Sequence, residues 1–219
     1  MGSKSLAQPC RNSYRAPDMV NGLPDMGHEG PPTMKRVVVP LAHGFEEIEA
    51  VTVVDILRRA GISVTIAGVE PGTPPGVIEG RTGIKLLPDV SIVGLNASDF
   101  DMVVLPGGLK GKQTLQKDPL VARLLRIMQD SDRYIAAICA APTVLAAHGM
   151  IAGRRLTSHP SVKGQLSGAL YDEGRVVIDG KLVTSRGPGT AMEFAMALVE
   201  ILMGRQKVEE VNQGVLAKV

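Results

Sequence analysis

Residues 134–147 read Tyr134-Ile-Ala-Ala-Ile-Cys139-Ala-Ala-Pro-Thr-Val-Leu-Ala-Ala147. A short apolar run, typical of a buried strand, passes through one cysteine into an alanine-rich stretch that is typical of a helix. Because almost no turn residue separates the two, the pattern predicts a sharp strand-to-helix bend at Cys139. Unpaired N–H groups and the helix dipole favour a thiolate there, so Cys139 is a candidate reactive cysteine. The alternative is a small buried hydrophobe.

The sequence on either side of this bend alternates short β-branched runs with longer amphipathic stretches. Strands are predicted over residues 36–42, 63–68, 84–87, 101–105 and 134–138, and helices over 46–60, 117–129 and 140–148. Continuous apolar strands such as Val37-Val-Val39 are typical of a parallel sheet that helices cover on both faces. The sequence therefore predicts an α/β open sandwich, in which ligand sites lie at the carboxyl ends of the strands.

Two further signals lie nearer the C-terminus. An Asp-Gly pair at residues 179–180, between two apolar runs, predicts a β-hairpin over 175–184. Thr190 and Glu193 have the spacing of a capping box, which predicts a helix that runs from there to Met203.

The length and composition are those of a globular protein with one main domain. The chain has 219 residues, of which 44% are hydrophobic and 21% charged, enough for a sizeable core. Residues 1–33, by contrast, are rich in proline and glycine and lack periodicity, so we predict a disordered N-terminal extension before a single domain over 34–219.

Charge and cysteine usage exclude several classes of protein. A net charge of +2 and 3% aromatic residues do not give the basic, aromatic surface of a nucleic-acid-binding protein. Cys10 and Cys139 lie far apart without metal-ligand spacing, so neither a disulfide framework nor a metal site is expected. The chain has no secretory signal and no apolar run long enough to span a bilayer, which together predict a cytoplasmic protein with no membrane partner.

Glu49 is the candidate acid. It shares a helical face with Val53 and Ile56, which predicts partial burial of the carboxyl group. Burial favours the neutral form, which can donate a hydrogen bond to a thiolate. The alternative is an acid of the first helical turn that faces solvent, and this is our interpretation of Glu46 and Glu47, whose charges complement the helix dipole at the surface.

Two more segments follow predicted strands and carry candidate site residues. Leu105-Pro106-Gly107-Gly108 resembles an oxyanion-binding turn, because paired glycines let backbone N–H groups approach a ligand closely. The alternative is a plain tight turn. His159 is the candidate base or orienting partner for Cys139, and His43 is a competing candidate.

Five motifs, in this order along the chain, together resemble the ThiJ/PfpI superfamily, in the branch of the parkinsonism-associated deglycase, DJ-one. They are Glu-Glu-Ile-Glu49, Leu-Pro-Gly-Gly108, Ala-Ala-Ile-Cys139-Ala-Ala-Pro142, Ser-His159-Pro160 and Thr-Ser-Arg-Gly-Pro-Gly-Thr190. The resemblance covers Met34 to about Val211.

The resemblance implies a flavodoxin-like open sandwich with a mostly parallel sheet, and a homodimer. In this reading Cys139 is the nucleophilic and oxidisable cysteine, Glu49 is the protonated acid bonded to it, and His159 is the nearby imidazole. The resemblance also implies backbone donors for the substrate oxyanion and an arginine at the dimer interface or in contact with an anion. These are Gly107, Gly108 and Ala140 as donors, and Arg59 as the arginine.

The activity implied is that of a glutathione-independent glyoxalase and deglycase, acting on 2-oxoaldehydes such as methylglyoxal or on glycation adducts, with no cofactor. The alternative is a redox-sensing protective or chaperone-like protein of the oxidative stress response, which acts through oxidation of Cys139. A cysteine hydrolase or peptidase is less favoured, because Ala140 stands where the protease-like branch has histidine. Arg81 departs from the family pattern by one position.

Overall fold

The computed structural model describes residues 34–69 and 76–218; the predicted extension over 1–33 lies outside the described residues. The strands are β1 Arg36–Leu41, β2 Ser63–Gly68, β3 Ile78–Glu79, β4 Lys85–Leu86, β5 Val90–Ser91, β6 Met102–Leu105, β7 Tyr134–Ile138, β8 Arg155–Leu156, β9 Leu170–Tyr171, β10 Val176–Asp179 and β11 Leu182–Ser185. The α-helices are α1 Glu47–Arg59, α2 Leu109–Lys117, α3 Pro119–Asp130, α4 Pro142–Ala147, α5 Ala191–Met203 and α6 Arg205–Val215.

The main sheet has the strand order β10-β11-β7-β6-β1-β2-β5. All of its neighbouring strands are parallel except β10 and β11, which form an antiparallel hairpin at one edge. Parallel neighbours need crossover connections, and helices supply several of them, as α1 does between β1 and β2. The predicted α/β open sandwich and the predicted hairpin are both confirmed.

Helices cover both faces of this sheet, and alternate residues of each strand point to opposite faces. In β1, Val37 and Val39 join the core beneath α1, α5 and α6, whereas Val38 joins the core beneath α3 and α4. All three valines are fully buried. The continuous apolar run in the sequence is thus explained by a strand with no solvent-facing side.

Most predicted elements lie where the sequence placed them, with ends that differ by a few residues. The predicted strand over 84–87 is shorter, because β4 pairs only with β3 in a separate small sheet. Two helices, α2 and α6, were not predicted. Within the described ranges, no helix combines the length and the apolar character that crossing a membrane requires.

The predicted capping box is wrong. Thr190 is the N-cap residue of α5 but makes no side-chain capping bond to it. Its hydroxyl lies 2.6 Å from that of Ser185 and accepts the N–H of Gly187 at 3.1 Å. The carboxylate of Glu193 instead accepts from the guanidinium of Arg175 at 2.7 Å. The Thr190 hydroxyl and the Glu193 carboxylate, which a capping box would use, are therefore bonded to other partners.

Candidate active site

Cys139 lies immediately after β7, at the bend into α4, with its backbone in the left-handed region at φ 63°. Its own peptide groups hold it there. The Cys139 N–H donates to the carbonyl of Ser185 at 2.9 Å, and its carbonyl accepts the N–H of His159 at the same distance. A side chain at positive φ costs about 1–3 kcal/mol, and such strain is found most often at functional sites.

The start of α1 is tied to the turn that follows β6. Glu46, the N-cap residue, accepts the N–H of Glu49 at 2.8 Å through its side chain. The backbone N–H of Glu46 donates to the carbonyl of Gly107 at 3.1 Å. These bonds fix the helix so that Glu49, in its first turn, faces the turn at Gly107.

The interpretation of Glu46 and Glu47 as surface acids is wrong, since the two residues are 5% and 4% exposed. The carboxylate of Glu47 accepts both the N–H and the hydroxyl of Thr82, each at 2.6 Å. Burial opposes ionisation of Glu47, but these hydrogen bonds outweigh it and place the pKa below its usual value. Glu47 therefore anchors the loop before β4.

Glu49 is fully buried, which confirms the burial that its helical spacing predicted. Its Oε2 accepts the N–H of Gly107 at 2.7 Å, and among the described residues Oε1 has no N–H or O–H donor. Burial raises the pKa of the carboxyl group to about 7; the charge of Glu46 adds to this, while bonds from Cys139 and Gly107 and the charge of Arg81 oppose it. Near neutral pH this carboxyl group can both hold and release a proton.

The thiol of Cys139 is coupled to this carboxyl group. Burial, then the charge of an ionised Glu49 and the hydrogen bond to it, raise the pKa of Cys139 to about 12, whereas the N–H groups of Ala140 and Gly108 lower it. The prediction that the Cys139 thiol ionises easily is therefore wrong while Glu49 is ionised. Above pH 7 the pair shares one proton and one negative charge. Moving the proton to Glu49 removes the repulsion and leaves a thiolate with two N–H donors.

The backbone N–H groups of Gly107 and Gly108 have different roles in the site. The Gly107 N–H donates to Glu49. It is therefore not available to a substrate oxyanion, contrary to the expectation from the sequence. The N–H groups of Gly108 and Ala140 point to the sulfur, where they can also meet an oxygen that forms on an attached carbon. A Cβ on Gly107 would lie 2.7 Å from the Cβ of Cys139, so the turn packs directly on the cysteine.

The side chains of the two candidate histidines are bonded to residues other than Glu49 and Cys139. The imidazole of His159 is exposed, with its Nδ1 2.7 Å from the hydroxyl of Ser161 and 3.2 Å from the Ser161 N–H. His159 thus reaches Cys139 through the backbone. His43 accepts the N–H of Glu79 at 2.9 Å and lines a cleft outside the pair.

Arg59 is not brought to the pair. It lies on the exposed side of α1, where it pairs with Asp55 at 2.7 Å. Its expected role at a dimer interface stays a prediction.

Sequence analysis missed two contributors to this site, Ser185 and Ser161, and noted Arg81 only as a departure from the family pattern. Ser185 receives the Cys139 N–H, Ser161 orients the imidazole of His159, and Arg81 places a positive charge near Glu49. Ser185 left a signal, because it stands in the Thr-Ser-Arg-Gly-Pro-Gly-Thr motif at the end of a strand, and Arg81 left one as the shifted arginine of a family motif. The role of Ser161 depends on how its loop folds back.

Several known proteins are similar to this chain in sequence and fold. Protein dj-1beta of Drosophila melanogaster is 48% identical over 184 residues, which cover 83% of this chain and 97% of that protein. Its crystal structure superposes with a TM-score of 0.81 over 85% of this chain and 100% of that chain. The oxidized structure of Toxoplasma gondii DJ-1 has 33% identity and a TM-score of 0.80, and covers 84% of this chain and 100% of that one.

A relative with a named activity is the glutathione-independent glyoxalase DJR-1.2 of Caenorhabditis elegans. It is 40% identical over 164 residues, which cover 74% of this chain and 85% of that protein. Residues 35–201 of this chain match the DJ-1/PfpI family, and they include Glu49, Gly107, Cys139 and His159. The chain therefore belongs to the DJ-1/PfpI family.

Proposed function

We propose that this chain is a glutathione-independent glyoxalase that acts on 2-oxoaldehydes such as methylglyoxal, and on early glycation adducts as a deglycase. The observation that carries the proposal is that the buried carboxyl group of Glu49, with a pKa near 7, and the side chain of Cys139 both lie against Gly107 and interact. One relative is named a glutathione-independent glyoxalase. A cytoplasmic homodimer, as the sequence predicts, completes the proposal.

The first step is addition of the sulfur to the aldehyde. With the shared proton on Glu49, the Cys139 thiolate forms a C–S bond and the carbonyl electrons move to oxygen. The N–H groups of Gly108 and Ala140 stabilise that oxygen, which takes the proton from Glu49. The product is a hemithioacetal, and Glu49 is left as a carboxylate.

The second step moves a proton between carbons. The Glu49 carboxylate removes the proton from the carbon bonded to sulfur, and the electrons form an enediolate with the neighbouring carbonyl. The hydroxyl proton shifts from the oxygen next to sulfur to the neighbouring oxygen, and Glu49 returns its proton to the neighbouring carbon, which gives a thioester of lactate. Water then cleaves the C–S bond, which releases lactate and restores the thiol. The sum is methylglyoxal plus water to lactic acid, so no cofactor enters the balance.

The test is lactate formation from methylglyoxal in reducing buffer without glutathione. Cys139→Ser is expected to abolish turnover, and Glu49→Gln to lower kcat by about 10²–10⁴-fold, since a positioned proton carrier contributes that much. Glu209→Gln, at an exposed position of α6, is the matched control and should retain activity. An inactive wild type, or a fully active Glu49→Gln, contradicts the proposal.

A second candidate function is redox sensing through Cys139. It is favoured by the buried Oε1 of Glu49, which lacks an N–H or O–H donor among the described residues and belongs to the carboxyl group bonded to the thiol. When protonated, this carboxyl group can donate to an oxygen of a sulfinate. A similar structure was described as oxidized. Mass spectrometry after peroxide treatment tests this: two added oxygens on Cys139 should accumulate in the wild type and fall in Glu49→Gln. Equal accumulation contradicts it.

A further inference from the structure

A cleft of about 630 Å³ opens beside the turn at Gly108. Its walls come from the loop after β1, the segment at β3 and the first residues of α2, and they include His43, Glu79, Arg81 and Lys110. The volume suits a small-molecule ligand. Neither the reaction steps above nor the redox alternative uses any of these side chains.

The cleft carries an excess of positive charge. Arg81 and Lys110 form no ion pair with any other described residue. Glu79, the acid in the wall, is balanced by Lys85, whose Nζ lies 3.8 Å from its carboxylate. His43 accepts the N–H of Glu79 through Nδ1, so its ring is held in the wall.

Both cations lie on segments that adjoin the reactive pair. The backbone N–H of Arg81 donates to the carbonyl of Phe45 at 2.9 Å, and the charge of Arg81 acts on Glu49 to lower its pKa. Lys110 follows two residues after Gly108, whose N–H points to the sulfur of Cys139. A molecule whose carbonyl group is at the sulfur can therefore extend into the cleft between the two cations.

We propose that this cleft binds the anionic group, a carboxylate or a phosphate, of an aldehyde that reacts at Cys139. The inference rests on the proposed function for its substrate class and makes the enzyme selective for charged over neutral 2-oxoaldehydes. Each unpaired cation attracts an anion that lies within a few ångströms, and the attraction weakens as salt is added.

The direct test compares two alkylating agents that differ in charge. Iodoacetate and iodoacetamide both form a C–S bond at Cys139 with loss of iodide, but only iodoacetate is an anion. We expect Lys110→Gln and Arg81→Gln each to lower the ratio of iodoacetate to iodoacetamide rate constants by about fivefold, and Lys110→Arg to retain it. Lys117→Gln, at the exposed far end of α2, should leave the ratio unchanged. An unchanged ratio in Lys110→Gln overturns the proposal.

Competition identifies the anion. Inorganic phosphate and acetate are each added to the wild-type iodoacetate reaction, and stronger slowing by one of them assigns the cleft to that class. No slowing by either overturns the proposal. In Lys110→Gln the slowing should be lost, and in the wild type it should fall as the ionic strength rises from about 0.01 to 1 M, because the Debye length falls from about 30 to 3 Å.

A kinetic arm separates this inference from the proposed function. The ratio of kcat/KM for a 2-oxoaldehyde with a terminal carboxylate or phosphate to that for methylglyoxal should fall about fivefold in Lys110→Gln. If the wild type forms no lactate from methylglyoxal while the alkylation ratio still responds, the glyoxalase proposal fails and the anion cleft stands. If turnover is normal and Lys110→Gln changes neither the alkylation ratio nor the kcat/KM ratio, the anion-binding proposal is wrong and the glyoxalase proposal stands.

Discussion

A carboxyl group that is fully buried, as that of Glu49 is, makes stability depend on pH. Its pKa rises from the usual 4.5 to about 7 on folding, chiefly through burial. Between these pH values the unfolded chain has lost the proton that the folded chain keeps, so the free energy of unfolding falls as pH rises. Below pH 4.5 both states hold the proton and this loss is absent.

We expect Glu49→Gln to remove this dependence. Between pH 4.5 and 7 the free energy of unfolding of the wild type should fall by up to about 3 kcal/mol relative to the variant. Urea unfolding curves across that pH range measure the difference. Glu209→Gln, which replaces an exposed carboxylate, should show the wild-type slope. Parallel curves for wild type and Glu49→Gln would show that Glu49 ionises normally.

Single residues were predictable where their role follows from local spacing. The helical offsets from Glu49 to Val53 and Ile56 were enough to predict its burial. The burial of Glu46 and Glu47 was not predictable, because their partners, Gly107 and Thr82, lie far away in the chain.

Among the elements, the turn between β6 and α2 has the least room for change. Gly108 has φ 96°, and a Cβ there would lie 2.2 Å from the carbonyl oxygen of Gly44. We expect Gly108→Ala to lower the free energy of unfolding by at least about 1–3 kcal/mol through backbone strain alone. It should also slow alkylation of Cys139, because the Gly108 N–H moves away from the sulfur.

Chemical unfolding and iodoacetamide kinetics measure both effects. Gly164→Ala is the matched control, since no atom lies within 4 Å of its added Cβ. This change should alter stability by no more than about 0.5 kcal/mol. If Gly108→Ala has the same free energy of unfolding as the wild type, the turn accommodates the added Cβ without strain and the prediction is wrong.

Helices with many apolar residues were predictable, and α2 and α6, which contain few, were not. In α2 the buried positions are Gly111, Lys112 and Leu115, so a lysine and a glycine occupy the face that should be apolar. In α6 only Val208 and Val211 are buried. Both helices bury too few apolar side chains to be recognised from the sequence, and packing on neighbouring elements stabilises them.

For the whole molecule, the exposed side of α1 is where the homodimer predicted from the resemblance can be tested. Ile48 and Val51 are 56% and 44% exposed on this helix, which also carries Arg59. Large apolar side chains next to each other at a surface are typical of an interface. We expect the wild type to sediment as a dimer and Ile48→Glu to shift it to monomer, because a charge cannot be buried there unpaired.

Sedimentation velocity across a range of protein concentrations makes this measurement. Leu170→Glu is the matched control, because Leu170 is 63% exposed on β9, away from α1. It should leave the dimer intact. A monomeric wild type would show that the dimer expectation is wrong.

The layered architecture was predictable because strands such as β1, from Val37 to Leu41, are continuously apolar, whereas a sheet with one solvent-exposed face alternates apolar and polar residues. The strand order was not predictable from the sequence, because local patterns of apolar residues do not indicate which strands pair with each other. The candidate site depends on that order: the ends of β1, β6, β7 and β11 lie side by side, so the segments that hold Glu49, Gly107, Cys139 and Ser185 meet.

The left-handed backbone of Cys139 has a consequence for how this protein can change over time. Glycine is the residue that folding alone would select at φ 63°, since it alone lacks the clash between Cβ and backbone. A mutation to glycine would therefore relieve the backbone strain and remove the reactive thiol at once. At this position the residue with the least backbone strain and the residue that carries the chemistry are different, so the reactive thiol is kept at a cost in backbone strain.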